Sequence, residues 1–257
     1  MNPLLKLYLW LFLGLYAFTL FLTFCGKGGK PGHALAEWMR KAPVLDWVVA
    51  ILTWVPWVIG GYLFGCFGFL ISLGAGASTL ILWVFTHELL NAEWVRGPRI
   101  VKTLNTIVGR WRNHVALWFS LLAIPVFWSL RLGQILLYPP ICWMLGFPKY
   151  KSSDWISVSR HKFEGLIGHD LIWCLYCDWM TGVFSFAGEL LRNVESFFCP
   201  IRFYDGKKCE NCKLDFPDIV NGWVSEKGTM KDAVDVVEKF HSKGNRSWFG
   251  HPSRRDD

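Results

Sequence analysis

The chain has 257 residues, of which 53% are hydrophobic, 17% aromatic and 18% charged, whereas a globular domain usually carries about 25% charged residues. This composition points away from an ordinary soluble domain and towards a membrane protein. The net charge of +7 lies entirely in residues 1–148, while residues 149–257 are neutral; this excludes a nucleic-acid-binding module, whose basic excess should lie in the soluble part.

Three apolar blocks in the first 148 residues are long enough to enter a membrane, because about 20 apolar residues cross the hydrocarbon core as a helix. The first is Pro3–Cys25. The second, 44–85, would be roughly 63 Å long as a helix, twice a bilayer thickness, so we expect a turn near Gly60–Gly61 and Gly65. The third, 115–147, is interrupted by prolines and predicts a span plus a re-entrant or interfacial segment. The sequence therefore predicts an all-α integral membrane domain over 1–148 with five crossings, or four as the alternative.

The basic residues predict the orientation of this domain. The segments 26–43 and 86–114 are both rich in Lys and Arg, as cytoplasmic loops are. Phe24 is too bulky for a signal-peptide cleavage site, so the first block is expected to remain as a span. The predicted location is the plasma or inner membrane. The amino terminus is then outside, and the chain from Lys149 onward lies in the cytoplasm.

The last third divides into a Cys-rich, partly interfacial module at 149–228 and a segment at 229–257. Within the module, 164–191 is apolar but interrupted by charges, which predicts a helix along the membrane surface or under the bundle. Thr229 is the predicted N-cap of a short amphipathic helix that ends at Ser242, and the polar tail after it is expected to be disordered.

Two Cys-x-x-Cys pairs carry the chemistry of the sequence. Cys209 and Cys212 lie in a polar loop between lysines, where two thiolates can point at one ion. Cys174 and Cys177 lie one helical turn apart. Cys199 and His169 are further candidate ligands, and a reducing cytoplasm favours metal over disulfide. The sequence therefore predicts a zinc site drawn from these six residues, with buried thiols and no metal left open.

Three alternatives use the same region. An iron–sulfur cluster would use the same cysteines, although the full ligand spacing is absent. The two pairs resemble those of membrane enzymes that make disulfides with a quinone; the resemblance covers the four cysteines alone and implies a thiol–disulfide redox protein on the oxidising side. His161, Glu164, His169 and Asp170 could belong to a carboxylate–histidine metal site.

Signatures of ordinary enzymes are missing from the sequence, including phosphate-binding loops, nucleophile elbows and zincin motifs. Arg131 stands inside an apolar block, where a charge is costly and usually functional, unless it reaches an interface. We therefore expect a non-enzymatic accessory, assembly or structural subunit, embedded in lipid and bound to a membrane-protein partner. If it is an enzyme, the chemistry favours a membrane oxidoreductase.

Overall fold

The computed structural model describes residues 1–26, 28–199, 224, 227–242, 246–247 and 251. These residues form helices and no strand, which confirms the predicted all-α class. In chain order the helices are α1 (Pro3–Cys25), α2 (Gly29–Met39), α3 (Val44–Leu52), α4 (Trp54–Leu90), α5 (Ala92–Val95), α6 (Ile100–Val108), α7 (Arg110–Ser120), α8 (Ile124–Leu136), α9 (Tyr138–Leu145), α10 (Ser152–Trp155), α11 (Gly168–Phe198) and α12 (Met230–Ser242).

The chain forms two compact units. The first comprises Met1–Phe127 and Lys151–Val183, and the second comprises Trp128–Tyr150 and Phe184–Asp257. The domain boundaries predicted from the sequence, after residues 148 and 228, stay a prediction.

Among the residues that the structure describes, four helices are long and apolar enough to cross a membrane: α1, α4, the stretch Arg110–Leu145 that runs from α7 to α9, and α11. Their mean hydropathy is 1.9, 1.8, 1.8 and 1.2 in that order, so α11 is the least apolar of the four. The multi-pass membrane character predicted from composition is therefore supported. The number of crossings stays a prediction, because length and composition alone identify these helices.

The predicted turn in the second apolar block is confirmed within α4. Phe64 and Gly65 leave helical geometry, and Gly65 has φ of 59°, a left-handed value that glycine tolerates without a steric penalty. One turn away on each side, a Cβ on Gly60 would lie 2.3 Å from the Gly68 carbonyl oxygen, which shows that the two backbones touch. The chain reverses at this point, and α3 with the first part of α4 forms a hairpin with the rest of α4.

Helix α1 runs parallel to the second arm of this hairpin. Tyr8 donates a hydrogen bond of 2.8 Å to Ser78, and the Tyr16 and Thr86 hydroxyls are 2.6 Å apart, so the same offset of 70 residues holds over eight residues. The C-terminal ends of α1 and α4 therefore lie at one end of the bundle. The basic segments that follow these two helices emerge at that shared end.

The first half of α11 crosses this same end. Its second residue, His169, donates its backbone N–H to Glu88 near the end of α4 at 3.2 Å, and Trp179 donates to Asp46 in the first turn of α3 at 3.4 Å. Ten residues of helix span roughly 15 Å, a distance suited to bridging two hairpin arms at their open end. If α11 ran along the bundle axis, Trp179 would instead meet residues near the middle of the hairpin. This part of α11 therefore lies under the bundle, one of the two predicted positions.

The described part of the C-terminal segment belongs to the second unit. Thr229 caps α12 as predicted: its hydroxyl oxygen accepts the backbone N–H of Asp232 at 3.4 Å, and its own N–H donates to the Asp232 carboxylate at 2.7 Å. Beyond α12, Arg246 donates to the carbonyl of Leu145, so this tail residue is held by a hydrogen bond.

Candidate functional site

Arg99 is the centre of a buried ion cluster in the first unit. Its Nε donates to Asp170 at 2.7 Å, and its Nη2 donates to Glu88 at 2.8 Å and to the Ile167 carbonyl at 3.2 Å. The second oxygen of Asp170 accepts the backbone N–H of Val101 at 2.9 Å. One guanidinium therefore joins the end of α4, the segment before α6 and the start of α11.

The carboxylates of this cluster stabilise the charged form of Arg99. Burial lowers the pKa of Arg99, but hydrogen bonds to Asp170 and Glu88 raise it more, so the net shift is upward. The guanidinium stays charged at every physiological pH. Because its side chain is only 4% exposed, it needs both carboxylates to replace the water that it has lost.

The N-terminus of α11 is capped by side chains from the end of α4. The backbone N–H of Gly168 donates to Nδ1 of His87 at 3.1 Å, and that of His169 donates to Glu88. A helix N-terminus carries unsatisfied N–H groups and a partial positive charge, so a carboxylate and an imidazole nitrogen suit it. A backbone N–H can only donate, which assigns the proton of a neutral His87 to Nε2.

The two ring nitrogens of His169 have different surroundings. Its Nε2 is 3.2 Å from the indole N–H of Trp173, which can only donate, so a neutral ring carries its proton on Nδ1. That Nδ1 is buried, has no hydrogen-bond partner among the described residues, and is 3.9 Å from Asp170. The ring of His114 packs edge-on against it, with centroids 5.1 Å apart. His169 is thus held in place as a packing residue.

Two cavities meet at His169 and Trp173, which line both. The second has a volume of about 220 Å³, is mostly apolar and includes side chains of α4 and α7. The first, of about 230 Å³, lies between α6, α7 and α11, and we call it the thiol cavity. Its lining combines Ile100, Val101, Leu104, Leu117 and Trp173 with Asn113, Arg160, His169, Asp170, Cys174 and Cys177.

The thiol cavity brings together one of the two predicted cysteine pairs. Cys174 and Cys177 both line it, and both are partly buried free thiols. The interaction of Arg160 with Cys177 is the strongest influence on that guanidinium and, against the opposing effect of burial, raises its pKa. Arg160 also lies 3.6 Å from Asp178. A cation therefore stands beside the two thiols.

The remaining predicted cysteine ligands are Cys199, Cys209 and Cys212. Cys199 follows the last residue of α11, belongs to the second unit and does not line the thiol cavity. Cys209 and Cys212 lie outside the described residues. Within the described ranges, no three His, Cys, Asp or Glu side chains are arranged to hold one metal ion. The zinc prediction therefore depends on Cys209 and Cys212 and stays a prediction.

The second unit contains a polar cluster of its own. Tyr150 donates to Glu189 at 2.8 Å, and Asn193 donates to the hydroxyls of Tyr150 and Tyr138 at 3.0 and 3.3 Å. Glu189 also lies 3.5 Å from His251. Burial raises the pKa of Tyr150. These groups satisfy one another, as buried polar groups must.

Arg131, which the sequence marks as a charge within an apolar block, is 2% exposed in the second unit and donates to Gln134 at 3.0 Å. The Arg131 side chain is therefore buried in protein and does not extend to the surface.

A surface ion pair joins the basic segment 26–43 to residues 157–162. Glu37 accepts a hydrogen bond from Arg40 at 2.6 Å and lies 2.8 Å from Lys162. The hydrogen bond from Arg40, followed by that from Lys162, lowers the pKa of Glu37 to about 2. Nearby, Lys41 and Ser157 form an antiparallel bridge. These two segments of the first unit therefore lie side by side.

Sequence reasoning missed Arg99, Glu88 and His114 as members of one cluster. The sequence shows them as scattered polar residues after two apolar blocks, and only their position at the same end of the bundle unites them. The adjacent pairs His87–Glu88 and His169–Asp170 were the available signal, since each places a base beside a carboxylate at the end of an apolar helix.

Comparisons of this chain with protein-family models, with curated proteins and with solved structures find no match.

Proposed function

We propose that this chain is a multi-pass membrane protein that acts as an accessory, assembly or structural subunit of a membrane complex, with a thiolate–metal module in its Cys-rich segment. Arg99 is the observation that carries the proposal. It joins Glu88 and Asp170 at hydrogen-bond distance and fixes three segments of the chain to one another.

The use of the acidic and basic side chains supports a structural role. Glu88 caps α11 and binds Arg99, Asp170 binds Arg99 and a backbone N–H, and Nδ1 of His87 accepts a backbone N–H. A general acid or base must be within reach of the proton that it transfers. In this cluster Glu88, Asp170 and His87 are bound to the backbone or to Arg99.

The helix surfaces support a lipid environment. Large side chains such as Trp10, Tyr62, Trp111 and Trp143 are between 78% and 88% exposed. Amphipathic aromatic rings are enriched where a bilayer meets water. Because the basic segments after α1 and α4 share one end, we infer that this end faces the cytoplasm.

The orientation can be measured on the wild-type thiols. Cys66 is exposed beside the hairpin turn, at the opposite end from the basic segments, and Cys199 is exposed after α11. A maleimide that cannot cross membranes should label Cys66 in intact cells, and Cys199 only after permeabilisation. Labelling of Cys199 in intact cells, with peptides identified by mass spectrometry, would contradict the cytoplasmic placement of the C-terminal region.

The metal module is proposed on Cys209 and Cys212, with Cys199 ten residues before them and a fourth ligand to complete the closed site. Zinc is the proposed ion because closed thiolate sites take it and it stabilises small modules. An iron–sulfur cluster is the alternative and would colour the protein, whereas zinc would not.

Elemental analysis of the purified full chain tests this module. Wild-type protein should contain about one zinc per chain, and the double variant Cys209→Ser/Cys212→Ser should lose it and unfold at a lower temperature. Cys66→Ser is the matched control because its thiol is exposed beside the hairpin turn. A wild-type protein without zinc or iron, together with full stability of the double variant, would overturn the proposal.

The spacing of Cys174 and Cys177 weighs against the thiol–disulfide alternative. Residues three apart on a helix have Cβ atoms about 5–6 Å apart, whereas a disulfide needs about 3.5–4.5 Å. A disulfide between these two would require α11 to change its backbone.

A further inference from the structure

The thiol cavity presents two cysteine side chains to one half-open space. Cys174 and Cys177 are one turn apart on the same side of α11 and line the same volume of about 230 Å³. Each is only partly exposed. The pair therefore faces a shared cavity of limited size that an ion can enter from one side.

The spacing of the pair suits an ion between the sulfurs. Two thiolates bound to opposite sides of one ion, each by a bond of about 2.3 Å, stand roughly 4.6 Å apart. Cβ atoms about 5–6 Å apart on a helix can place their sulfurs at that separation by rotation about χ1 alone. The intact helix thus fits a bridging ion better than a covalent bond.

The ligand count selects the kind of ion. Among the residues that the structure describes, no third His, Cys, Asp or Glu completes a metal site with this pair. His169 lines the cavity, but its Nε2 is bonded to Trp173 and its Nδ1 carries the proton in the neutral ring. Zinc favours four ligands in closed sites, whereas Cu(I) is a soft ion that prefers thiolates and is stable with two of them.

Arg160 stands at the wall of the cavity beside the two thiols. Its strongest interaction is with Cys177, and it also lies 3.6 Å from Asp178, so its positive charge is shared between the thiols and that carboxylate. Asp170 also lines the cavity and is held by Arg99, which binds Glu88 as well. Apolar side chains of α6 and α7 line the cavity too.

We propose that Cys174 and Cys177 form a two-coordinate site for Cu(I), with Arg160 beside the bis-thiolate complex at the cavity wall. Binding forms two copper–sulfur bonds and releases the two thiol protons, with no change in oxidation state. The site is independent of the proposed zinc module and of any partner subunit.

The test is a titration of the full-length reduced protein in nanodiscs with Cu(I), under nitrogen, against bicinchoninate as a coloured competitor. The variants are Cys174→Ser, Cys177→Ser and Arg160→Met, with Cys142→Ser as a control for a partly buried cysteine outside the cavity. The double variant Cys209→Ser/Cys212→Ser separates this site from the zinc module.

Cys174→Ser and Cys177→Ser should each lower the affinity for one equivalent of Cu(I) by more than about 100-fold. Losing a residue that only supports the ligands typically costs roughly 10–100-fold in metal affinity, and losing a ligand should cost more. Arg160→Met should lower the affinity for Cu(I) by roughly 10–100-fold. Cys142→Ser and Cys209→Ser/Cys212→Ser should retain it.

X-ray absorption at the copper edge of the wild-type protein provides a readout that does not depend on the folding of any variant. Two sulfur neighbours at a single short distance would support the site. Three or more ligands, or unchanged affinity in both Cys174→Ser and Cys177→Ser, would overturn the proposal.

Discussion

Replacing Arg99 with methionine keeps the length of the side chain but removes the charge that joins Glu88 to Asp170. The Asp170 side chain is 5% exposed and that of Glu88 is 26% exposed, so neither carboxylate can regain full hydration. Breaking a buried ion pair by removing one partner typically costs about 3–5 kcal/mol. At about 2–4 °C per kcal/mol for a chain of this size, Arg99→Met should lower the unfolding temperature by about 6–20 °C.

The assay is thermal unfolding in nanodiscs, followed by the fluorescence of the 16 tryptophans. Arg96→Met is the matched control because Arg96 is exposed in the same segment, and it should change the unfolding free energy by less than about 0.5 kcal/mol. Asp170→Asn combined with Arg99→Met should cost less than the two single changes together, by about 0.5–3 kcal/mol. An Arg99→Met protein as stable as wild type, or strictly additive effects of the two changes, would refute the stabilising role of the buried ion cluster.

Two further predictions concern the hairpin and the basic surface. Gly68→Ala should destabilise the protein by about 1–3 kcal/mol, because its Cβ would overlap the carbonyl of Gly60, whereas Gly74→Ala, whose Cβ meets open space, should be neutral in the same unfolding assay. The folded pKa of Glu37 lies below its ordinary value, so its contribution to stability is present above about pH 4.5 and is lost as the pH falls towards 2. The difference in unfolding temperature between wild type and Glu37→Gln should shrink as the pH falls from about 4.5 through about 2. A difference of undiminished size at pH 2 would contradict the assigned ion pairs.

The membrane architecture follows from the sequence because its signals are local. Apolar runs identify the long helices, and the excess length of residues 44–85 predicts a turn near Gly65, where the structure has one. The cap at Thr229 is likewise a local pattern of hydrogen-bonding side chains. Such features depend on neighbours within a few residues, which the sequence displays directly.

The ion cluster could not be predicted in the same way, because it depends on contacts between distant segments. Arg99 and Asp170 are 71 residues apart, and Asp46 and Trp179 are 133 apart. These contacts can be predicted only if it is known that α11 crosses the end of the hairpin. The sequence offered two positions for that helix, on the membrane surface or under the bundle, and hydropathy alone does not decide between them. Likewise, the repeated Cys-x-x-Cys spacing groups Cys174 and Cys177 with Cys209 and Cys212, while the cavity that the first pair lines is visible only in the structure.

The most direct test of the proposed function is native mass spectrometry of the full chain released from nanodiscs that were prepared from its source membrane. This measurement weighs the chain together with its bound subunits and metals. We expect the chain with a stoichiometric second membrane protein and one zinc ion. A bare 257-residue chain, with neither partner nor metal, would contradict the role as a metal-bearing subunit of a membrane complex.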